Sequence, residues 1–216
     1  MRIIECTQGE PDWHAARTGK VTASRVADIV RVTRSGPSRS RETYLGEIVA
    51  ERLSGGGAWR ADYVSQAMQW GKDNEQGARE MYAFATGLEV VTVGFVLHPQ
   101  SDFAGCSPDG LAGEDGLVEI KCPNSATHIQ SLLGAPIDPD YVKQMQWQLA
   151  CTGRQWCDFV SFDPRMPPEM QIDIRRVIRN DSTILELELA VSAFLAEVDE
   201  TCAHLLKKYR QPLAAE

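Results

Sequence analysis

Two carboxylates and an amine stand close together in the middle of the chain. Asp109 belongs to a Ser-Pro-Asp-Gly segment, and Glu119 and Lys121 are separated only by Ile120. Alternation along a strand places Glu119 and Lys121 on one face and Ile120 on the opposite, apolar face. These charges could simply mark a turn and an exposed ion pair, but Val118–Cys122 is otherwise apolar, and a buried charge is costly unless it is paired or bound to metal. We therefore expect a site with a chemical role.

This set of side chains suits a magnesium ion. Mg²⁺ prefers oxygen ligands and keeps several waters, so Asp109 and Glu119 could hold it with part of its shell open. Such an ion activates water and polarises a phosphate, while Lys121 could hold or help deprotonate the water, or neutralise charge on the phosphate. A third acid, Glu75, lies one helical turn from Arg79, where it either joins the site or forms an ordinary surface ion pair. The pattern favours phosphodiester hydrolysis.

The charge distribution argues against a protein that holds nucleic acid by bulk charge. The 216 residues carry a formal net charge of −8, whereas phosphate binding draws on clustered Lys and Arg. Residues 17–41 are an exception, because one acid, Asp28, stands among the basic residues Arg17, Lys20, Arg25, Arg31, Arg34, Arg39 and Arg41. This segment is either a solvated helix face or a local phosphate-binding patch.

The composition also indicates in which cellular compartment the protein is expected. No run approaches the ~18 apolar residues of a membrane span, and the first residues lack the apolar run of a secretory signal. The six cysteines form no Cys-x-x-Cys pair and no zinc-binding spacing with histidine. We expect a cytoplasmic protein with reduced thiols and no membrane contact.

The N-terminal part is predicted to be helical. We expect a helix at 12–19, with Asp12 as the N-cap and Gly19 as the stop, and a second at 25–30, capped by Thr22 or Ser24. A polar segment with Gly and Pro at 35–40 predicts a mobile loop at 33–41. A further helix is expected at 44–53, ended by the glycines at 55–57.

Taken together, the predicted elements indicate one α/β domain over residues 1–216, with helices around a mixed central sheet. Helices are expected at 68–86, 141–151 and 182–210. Strands are expected at 91–97, 103–106, 117–122, 156–162 and 171–178, the first three of them as neighbours.

Seven motifs together resemble a known family. From residue 8 to about residue 166 the chain resembles, in order and with compatible spacing, the phage lambda-type exonucleases of the YqaJ-like viral recombinase family. The motifs are Trp13–Arg17, Thr22–Ser24, Trp70–Glu75, Ser107–Gly110, Glu119–Pro123, Gln144–Gln146 and Phe162–Met166. The family belongs to the PD-(D/E)xK nucleases, here with Pro108 and Asp109.

The resemblance implies an architecture and an activity. It implies the PD-(D/E)xK, or restriction-endonuclease-like, fold, with a helical DNA-end-binding part at about 8–60 and an amphipathic C-terminal helix at about 182–210. It implies Mg²⁺-dependent 5′ to 3′ digestion of one strand of linear double-stranded DNA, with Mn²⁺ as a substitute, by a ring-shaped homotrimer. The resulting 3′ overhang passes to a single-strand annealing protein of the same phage system, in the cytosol of a bacterial host.

The family pattern also implies residue roles. Asp109, Glu119 and the backbone carbonyl of Ile120 are expected to bind the metal ion. Lys121 is expected to position water, and Glu75 to assist a second ion or its waters.

The remaining roles concern DNA. Gln144 is expected near the scissile phosphate or the nucleophile, and Gln148, one turn on, to share its face. A guanidinium beside a hydroxyl suits a terminal 5′-phosphate. The expected 5′-phosphate and DNA-binding set is Arg17, Ser24, Arg25 and Arg41.

Other functions remain open on the sequence alone. The same metal site would serve a sequence-specific or structure-specific endonuclease, because it does not decide which bond is offered to it. A catalytically silent DNA-binding or assembly module could retain the fold, although all the acids and the lysine are present. A plain α/β protein with coincidental motifs is the fourth possibility.

Overall fold

The computed structural model describes residues 1–34, 36–55 and 65–210. Its strands in chain order are β1 Arg2–Ile4, β2 Val21–Thr22, β3 Val32–Thr33, β4 Gly36–Pro37, β5 Val90–Val91, β6 Phe95–Leu97, β7 Ala104–Cys106, β8 Gly110–Ala112, β9 Gly116–Lys121, β10 Trp156–Phe162 and β11 Ile172–Ile178. Its α-helices are α1 Pro11–Arg17, α2 Val26–Val30, α3 Arg39–Ser54, α4 Gln66–Thr86, α5 Ser125–Leu132, α6 Pro139–Thr152 and α7 Asp181–Tyr209.

The larger sheet carries the predicted site. Its strand order is β11-β10-β9-β8-β5, with β9 and β10 parallel and the other neighbours antiparallel. Leu117 of β9 packs with Met145 of α6 on one face, while Val118 and Ile120 pack with Tyr82 of α4 on the other. The mixed sheet flanked by helices agrees with the predicted fold class, and β9 is buried on both faces because helices cover both.

A second sheet has the order β1-β6-β7-β2 and packs against α2, α3, α6 and α7. The prediction of three neighbouring strands was right for β6 and β7, which pair with each other, and wrong for β7 and β9, which belong to different sheets. The short strand β8 lies between them in sequence and pairs with β9. The predicted strand at 91–97 is divided into β5 and β6 next to Gly94, where a Cβ atom would lie 2.4 Å from the carbonyl oxygen of Ile4.

Two helix starts near the N-terminus differ from the prediction. Helix α1 begins at Pro11, so Asp12 lies in its first turn and Glu10 takes the N-cap position; the helix ends at Arg17, before Gly19. Proline is favoured in the first turn because its missing N–H has no helical partner there. Thr22 and Ser24 do not cap the next helix, because Ala23–Arg25 form a 3-10 turn without a side-chain cap.

The predicted loop at 33–41 is shorter than expected. Strands β3 and β4 form a two-stranded hairpin, and α3 begins at Arg39 because Ser38 accepts a hydrogen bond from the backbone N–H of Arg41. The helix ends with Gly55 in the left-handed conformation, as predicted. The residues at 35, 56 and 57, on which these predictions also fell, lie outside the described residues.

The later elements follow the prediction closely. Helices α4 and α6 end at Gly87 and Gly153, both left-handed, and α7 covers the predicted C-terminal helix. Helix α5 was not predicted. Among the described residues, no helix has the length and apolar character required to cross a bilayer.

Candidate nuclease site

Glu119 is the most deeply buried carboxylate of the site, with 1% of its surface exposed. Its Oε1 accepts hydrogen bonds from Lys121 Nζ and from Gln144 Nε2, the latter at 2.7 Å. Its Oε2 accepts a 2.7 Å hydrogen bond from Gln148 Nε2. Three donors, two of them on α6, therefore replace the water that this carboxylate lost on folding, as a buried charge requires. The predicted common face of Glu119 and Lys121 is confirmed.

Asp109 comes from the turn between β7 and β8 and lies beside β9. Its Oδ2 accepts a 2.6 Å hydrogen bond from the backbone N–H of Ile120, and its backbone carbonyl accepts one from Arg79 Nε at 3.0 Å. Burial and the carboxylate of Glu119 raise the pKa of Asp109 well above its usual value; Glu75 adds to this effect and Lys121 opposes it. The site thus concentrates negative charge that a cation would relieve.

The backbone of Ile120 faces Asp109. A strand residue presents its N–H and C=O to the same neighbouring side. Because the N–H of Ile120 reaches Asp109, its carbonyl oxygen is turned to that side as well. Strand β8 pairs with β9 only from Gly110 opposite Val118 to Ala112 opposite Gly116, so this part of β9 lies beyond the ladder. The carbonyl oxygen of Ile120 therefore points to the side of Asp109, and its role as a metal ligand stays a prediction.

Glu75 lies on α4 and forms a 2.5 Å ion pair with Arg79. The surface-pair alternative is thus present in the structure. Glu75 nevertheless acts electrostatically on Asp109, and Arg79 contacts the backbone of Asp109, so the pair borders the site. Its contribution to metal binding stays a prediction.

Lys121 joins the acids to an aromatic side chain. Its Nζ contacts Glu119 and lies 4.8 Å from the ring centroid of Tyr141 on α6. Burial lowers the pKa of Lys121, but the carboxylates of Glu119 and Asp109 outweigh it and raise the pKa above its usual value. The amine is therefore a charged hydrogen-bond donor beside the two carboxylates.

The side chains offer few metal ligands. Within the described ranges, no three His, Cys, Asp or Glu side chains form a ready-made metal cluster. What the site offers is two carboxylates and a backbone carbonyl, with Glu75 held by Arg79. Oxygen donors with an incomplete shell fit Mg²⁺, which retains waters, better than Zn²⁺, which prefers nitrogen and sulfur.

Arg17 is linked to the site through a tryptophan. Its guanidinium lies 4.0 Å from the ring centroid of Trp13, and Trp13 Nε1 donates a 2.8 Å hydrogen bond to Ser107, two residues before Asp109. Ser24 is exposed, with its hydroxyl 3.4 Å from that of Thr22. Arg17 is thus connected through Trp13 to the segment that carries Asp109, which sequence spacing could not establish.

Arg25 and Arg41 are held by acids. Arg25 pairs with Asp28 at 2.7 Å and with Glu47 at 2.9 Å, and Arg41 pairs with Glu197 of α7 at 2.6 Å. A phosphate would have to compete with these carboxylates. Both residues therefore enter the predicted DNA-binding set with acid partners already in place.

Two cavities are each lined by a residue of the predicted site. The larger, of about 660 Å³, is lined by Glu75 and Arg79 on one side and by Trp13 on the other. The smaller, of about 270 Å³, is lined by Lys121 and Tyr141. Glu75 thus borders one cavity and Lys121 the other.

Sequence reasoning missed some neighbours of the site. Tyr141 was assigned only to a helix, and the contact of Arg79 with the Asp109 backbone was not foreseen, because both contacts join distant segments. The motif Phe162–Met166 had no assigned chemistry; its Asp163 is buried and held by Arg165, which also lies 4.2 Å from the ring centroid of Trp70.

Comparison with known proteins identifies relatives. The YqaJ-like viral recombinase domain matches residues 12–155. An alkaline exonuclease, LHK-Exo, from Laribacter hongkongensis is 47% identical with a TM-score of 0.84, covering 92% of this chain and 97% of that chain. A structure of LHK-Exo in complex with dAMP matches equally well, with 47% identity, a TM-score of 0.84 and the same coverage. A search of curated proteins finds no significant match.

A more distant structure supports the fold alone. A phage-related exonuclease from Haemophilus somnus 129PT is 16% identical with a TM-score of 0.65, covering 89% of this chain and 99% of that chain. The predicted PD-(D/E)xK fold and the predicted class of enzyme, a nuclease, are confirmed. Because the domain match extends over most of its length, the chain belongs to the YqaJ-like viral recombinase family.

Proposed function

We propose that this chain is a Mg²⁺-dependent 5′ to 3′ exonuclease that digests one strand of linear double-stranded DNA and leaves a 3′ overhang for recombination by strand annealing. The observation that carries the proposal is the convergence of Asp109, Glu119 and the Ile120 backbone beside Lys121. Membership of a viral recombinase family and similarity to an alkaline exonuclease support it.

Asp109, Glu119 and the carbonyl of Ile120 would hold the ion, with Glu75 assisting a second ion or its waters. When bound, Mg²⁺ lowers the pKa of water and polarises the phosphate, and Mn²⁺ should substitute because it accepts similar oxygen ligands. Asp109 and Glu119 are rigidly oriented by Ile120 and Gln148, which favours a preorganised site.

Lys121 and Gln144 serve the reacting phosphate. Both side chains donate a hydrogen bond to Oε1 of Glu119. Both donors therefore lie beside the carboxylate oxygen that is proposed to face the metal ion. The ammonium of Lys121 holds the attacking water and counters negative charge as the phosphodiester bond breaks. Gln144 hydrogen-bonds the scissile phosphate or the nucleophile.

The DNA end is held by Arg17 and Ser24, which bind the terminal 5′-phosphate, and by Arg25 and Arg41, which contribute to DNA binding. Arg17 is the strongest of these candidates, since Trp13 connects it to the segment that carries Asp109. Recognition of a phosphorylated end favours an exonuclease over an endonuclease.

The assembly is a homotrimeric ring that admits duplex and releases single strand. A ring reconciles a net charge of −8 with DNA binding, because only the charge inside the channel meets the phosphates. The 3′ overhang passes to a single-strand annealing protein of the same phage system, in the bacterial cytosol.

One assay tests this function against its alternatives. Linear duplex labelled at either the 5′ or the 3′ end should lose the 5′ label first, only with Mg²⁺, and EDTA should stop the reaction. Covalently closed circles should stay intact; rapid cutting of them would identify the endonuclease alternative instead. Absence of hydrolysis with retained DNA binding would identify a silent module.

One substitution tests the assignment of the metal site. Asp109→Asn keeps an acceptor for the Ile120 N–H but removes a charged ligand, so hydrolysis should fall by at least about a hundredfold while the fold and DNA binding persist. The matched control is Asp102→Asn, on an exposed side chain outside the site. Undiminished activity of Asp109→Asn would refute the assignment.

A further inference from the structure

The chain crosses between the two sheets twice near the site. The first crossing, residues 92–94, joins β5 of the larger sheet to β6 of the smaller one, and the second crossing, residues 107–109, joins β7 of the smaller sheet to β8 of the larger one. Val93 and Pro108 are the middle residues of these crossings. Because both lie between strands, their backbone carbonyls depend on partners other than a neighbouring strand. The second crossing ends with Asp109.

One side-chain amide joins the two crossings. Gln8, in the segment between β1 and α1, donates from Nε2 to the carbonyl of Val93 at 2.9 Å and to the carbonyl of Pro108 at 2.9 Å. Both carbonyls are acceptors only, so the amide must turn its NH₂ group toward them. One N–H group is available for each carbonyl, and the side chain therefore fastens the second crossing to the first.

Gln8 acts on the peptide group directly before Asp109. The carbonyl of Pro108 belongs to the peptide group that joins Pro108 to Asp109, and the carbonyl of Asp109 belongs to the next one. Arg79 donates to this second carbonyl at 3.0 Å. Side chains from outside the crossing thus hold both planar peptide groups beside the Cα atom of Asp109, which restrains the two backbone dihedrals of that residue. The backbone N–H of Ile120 in turn holds Oδ2 of the Asp109 side chain.

We infer that Gln8 is a positioning residue of the metal site, which sets the position of Asp109 through the peptide group that precedes it. The inference rests on the proposed function, because it takes Asp109 as a metal ligand. Without the Gln8 amide, the second crossing would no longer be fastened to the first, and Asp109 would be held by Arg79 and Ile120 alone. Mg²⁺ requires a near-ideal geometry of its ligands, so a displaced carboxylate binds it less tightly.

A second glutamine of the chain makes the same pair of bonds elsewhere and serves as a matched control. Gln171, which precedes β11, donates from Nε2 to the carbonyl of Pro164 at 3.1 Å and to the carbonyl of Met166 at 3.0 Å. Both glutamines are half-buried. The partners of Gln171 lie in the segment after β10, which carries none of the proposed metal ligands. Loss of either amide should therefore reduce stability, but only the loss of Gln8 should weaken metal binding.

Calorimetric titration with Mg²⁺ of the wild type, Gln8→Met and Gln171→Met tests the inference. Methionine keeps the approximate length of the side chain and removes both N–H donors. Both variants should unfold at a lower urea concentration than the wild type, and the titrations are made where all three proteins are folded. Gln8→Met should raise the dissociation constant for Mg²⁺ by about tenfold, the loss expected when a group that orients a ligand is removed. Gln171→Met should change it by less than about twofold, because it holds none of the ligands.

Gln8→Asn provides a second measurement if Gln8→Met does not fold. Its amide keeps both N–H groups on a side chain that is one methylene shorter, so it should hold the two carbonyls less well. The dissociation constant for Mg²⁺ should rise by about threefold, a part of the loss expected when the orienting group is removed altogether. An unchanged dissociation constant in Gln8→Asn would overturn the inference.

The outcomes distinguish this inference from the proposed function. If the wild type binds no Mg²⁺, the proposed metal site is wrong and the inference fails with it. If the wild type binds Mg²⁺ and Gln8→Met binds it equally tightly, or if Gln171→Met weakens binding as much as Gln8→Met does, only the assignment of Gln8 is overturned.

Discussion

Gln148 donates a 2.7 Å hydrogen bond to Glu119 Oε2 within the layer between β9 and α6. Both side chains are buried, Gln148 completely and Glu119 with 1% of its surface exposed. We therefore regard Gln148 as a positioning residue. It holds Oε2 of Glu119, whereas Lys121 and Gln144 donate to Oε1.

Replacing Gln148 by Leu should reduce both stability and metal binding. The change leaves a buried carboxylate oxygen without its donor, which should lower the free energy of unfolding by about 1.5–3 kcal/mol. Loss of the orienting bond should weaken Mg²⁺ binding about 10- to 100-fold. Urea unfolding and calorimetric titration with Mg²⁺ measure the two effects.

The matched control for Gln148→Leu is Gln155→Leu, on an exposed glutamine, which should change the free energy of unfolding by less than about 0.5 kcal/mol. Equal unfolding midpoints for Gln148→Leu and the wild type would contradict the assigned role.

Arg17→Ala should impair digestion of 5′-phosphorylated ends far more than that of 5′-hydroxyl ends. A guanidinium–phosphate contact is a charge-assisted hydrogen bond, so its loss should cost about tenfold in kcat/KM on phosphorylated duplex. Arg25→Ala and Arg41→Ala should lower the rates on both kinds of end alike, because those residues are proposed to contribute to DNA binding and not to hold the terminal phosphate. Arg2→Ala, on β1, is the control. Equal rates on both ends, for wild type and Arg17→Ala alike, would argue against 5′-phosphate recognition.

The pair formed by buried Asp163 and exposed Arg165 should make stability depend on pH in the acid range. Hydrogen bonds from Arg165 lower the pKa of Asp163 from 3.8 to about 2, against the opposing effect of burial. Because the folded-state pKa is lower than the unfolded one, the stabilisation is present above about pH 4 and disappears as the pH falls toward 2.

Urea unfolding between pH 5 and pH 2 checks this dependence. Asp163→Asn removes the titrating group, so its stability should fall less steeply than that of the wild type between about pH 4 and pH 2. Arg165→Met should also flatten the slope, since it removes the bonds that lower the pKa. An unchanged slope in both variants would exclude the pair as its cause.

Gly105→Ala should destabilise the smaller sheet. A Cβ atom at Gly105 in β7 would lie 2.4 Å from the carbonyl oxygen of Val96 and 2.6 Å from the ring of Phe95. Relief of the first contact would require a shift of the Val96 backbone, which costs free energy. We expect a loss of about 1–3 kcal/mol in the free energy of unfolding, as for an overpacked core.

The control for Gly105→Ala is Gly46→Ala in α3, where a Cβ atom would meet nothing within 4 Å. Alanine there should stabilise the helix by up to about 1 kcal/mol, because it has the higher helix propensity. Destabilisation by both changes to the same degree would show that space at Gly105 is not the cause.

Local patterns predicted much of the site. Alternation along β9 correctly placed Glu119 beside Lys121 and Ile120 against α4, because strand geometry sends neighbouring side chains to opposite faces. Helical spacing correctly paired Glu75 with Arg79. The predicted pairing of β6 with β7 was correct, but β9 was given the wrong neighbour because the short strand β8, which pairs with β9, was not recognised.

By itself, the sequence determined the types of residue at the site, the alternation of β9, and the helix ends at Gly87 and Gly153, since these depend on residues a few positions apart. Only the tertiary structure decided that α6 covers Glu119, that Tyr141 forms a cavity beside Lys121, and that Trp13 joins Arg17 to the Asp109 segment across 94 positions of the chain. Such contacts arise from packing between distant elements, and no local periodicity encodes them.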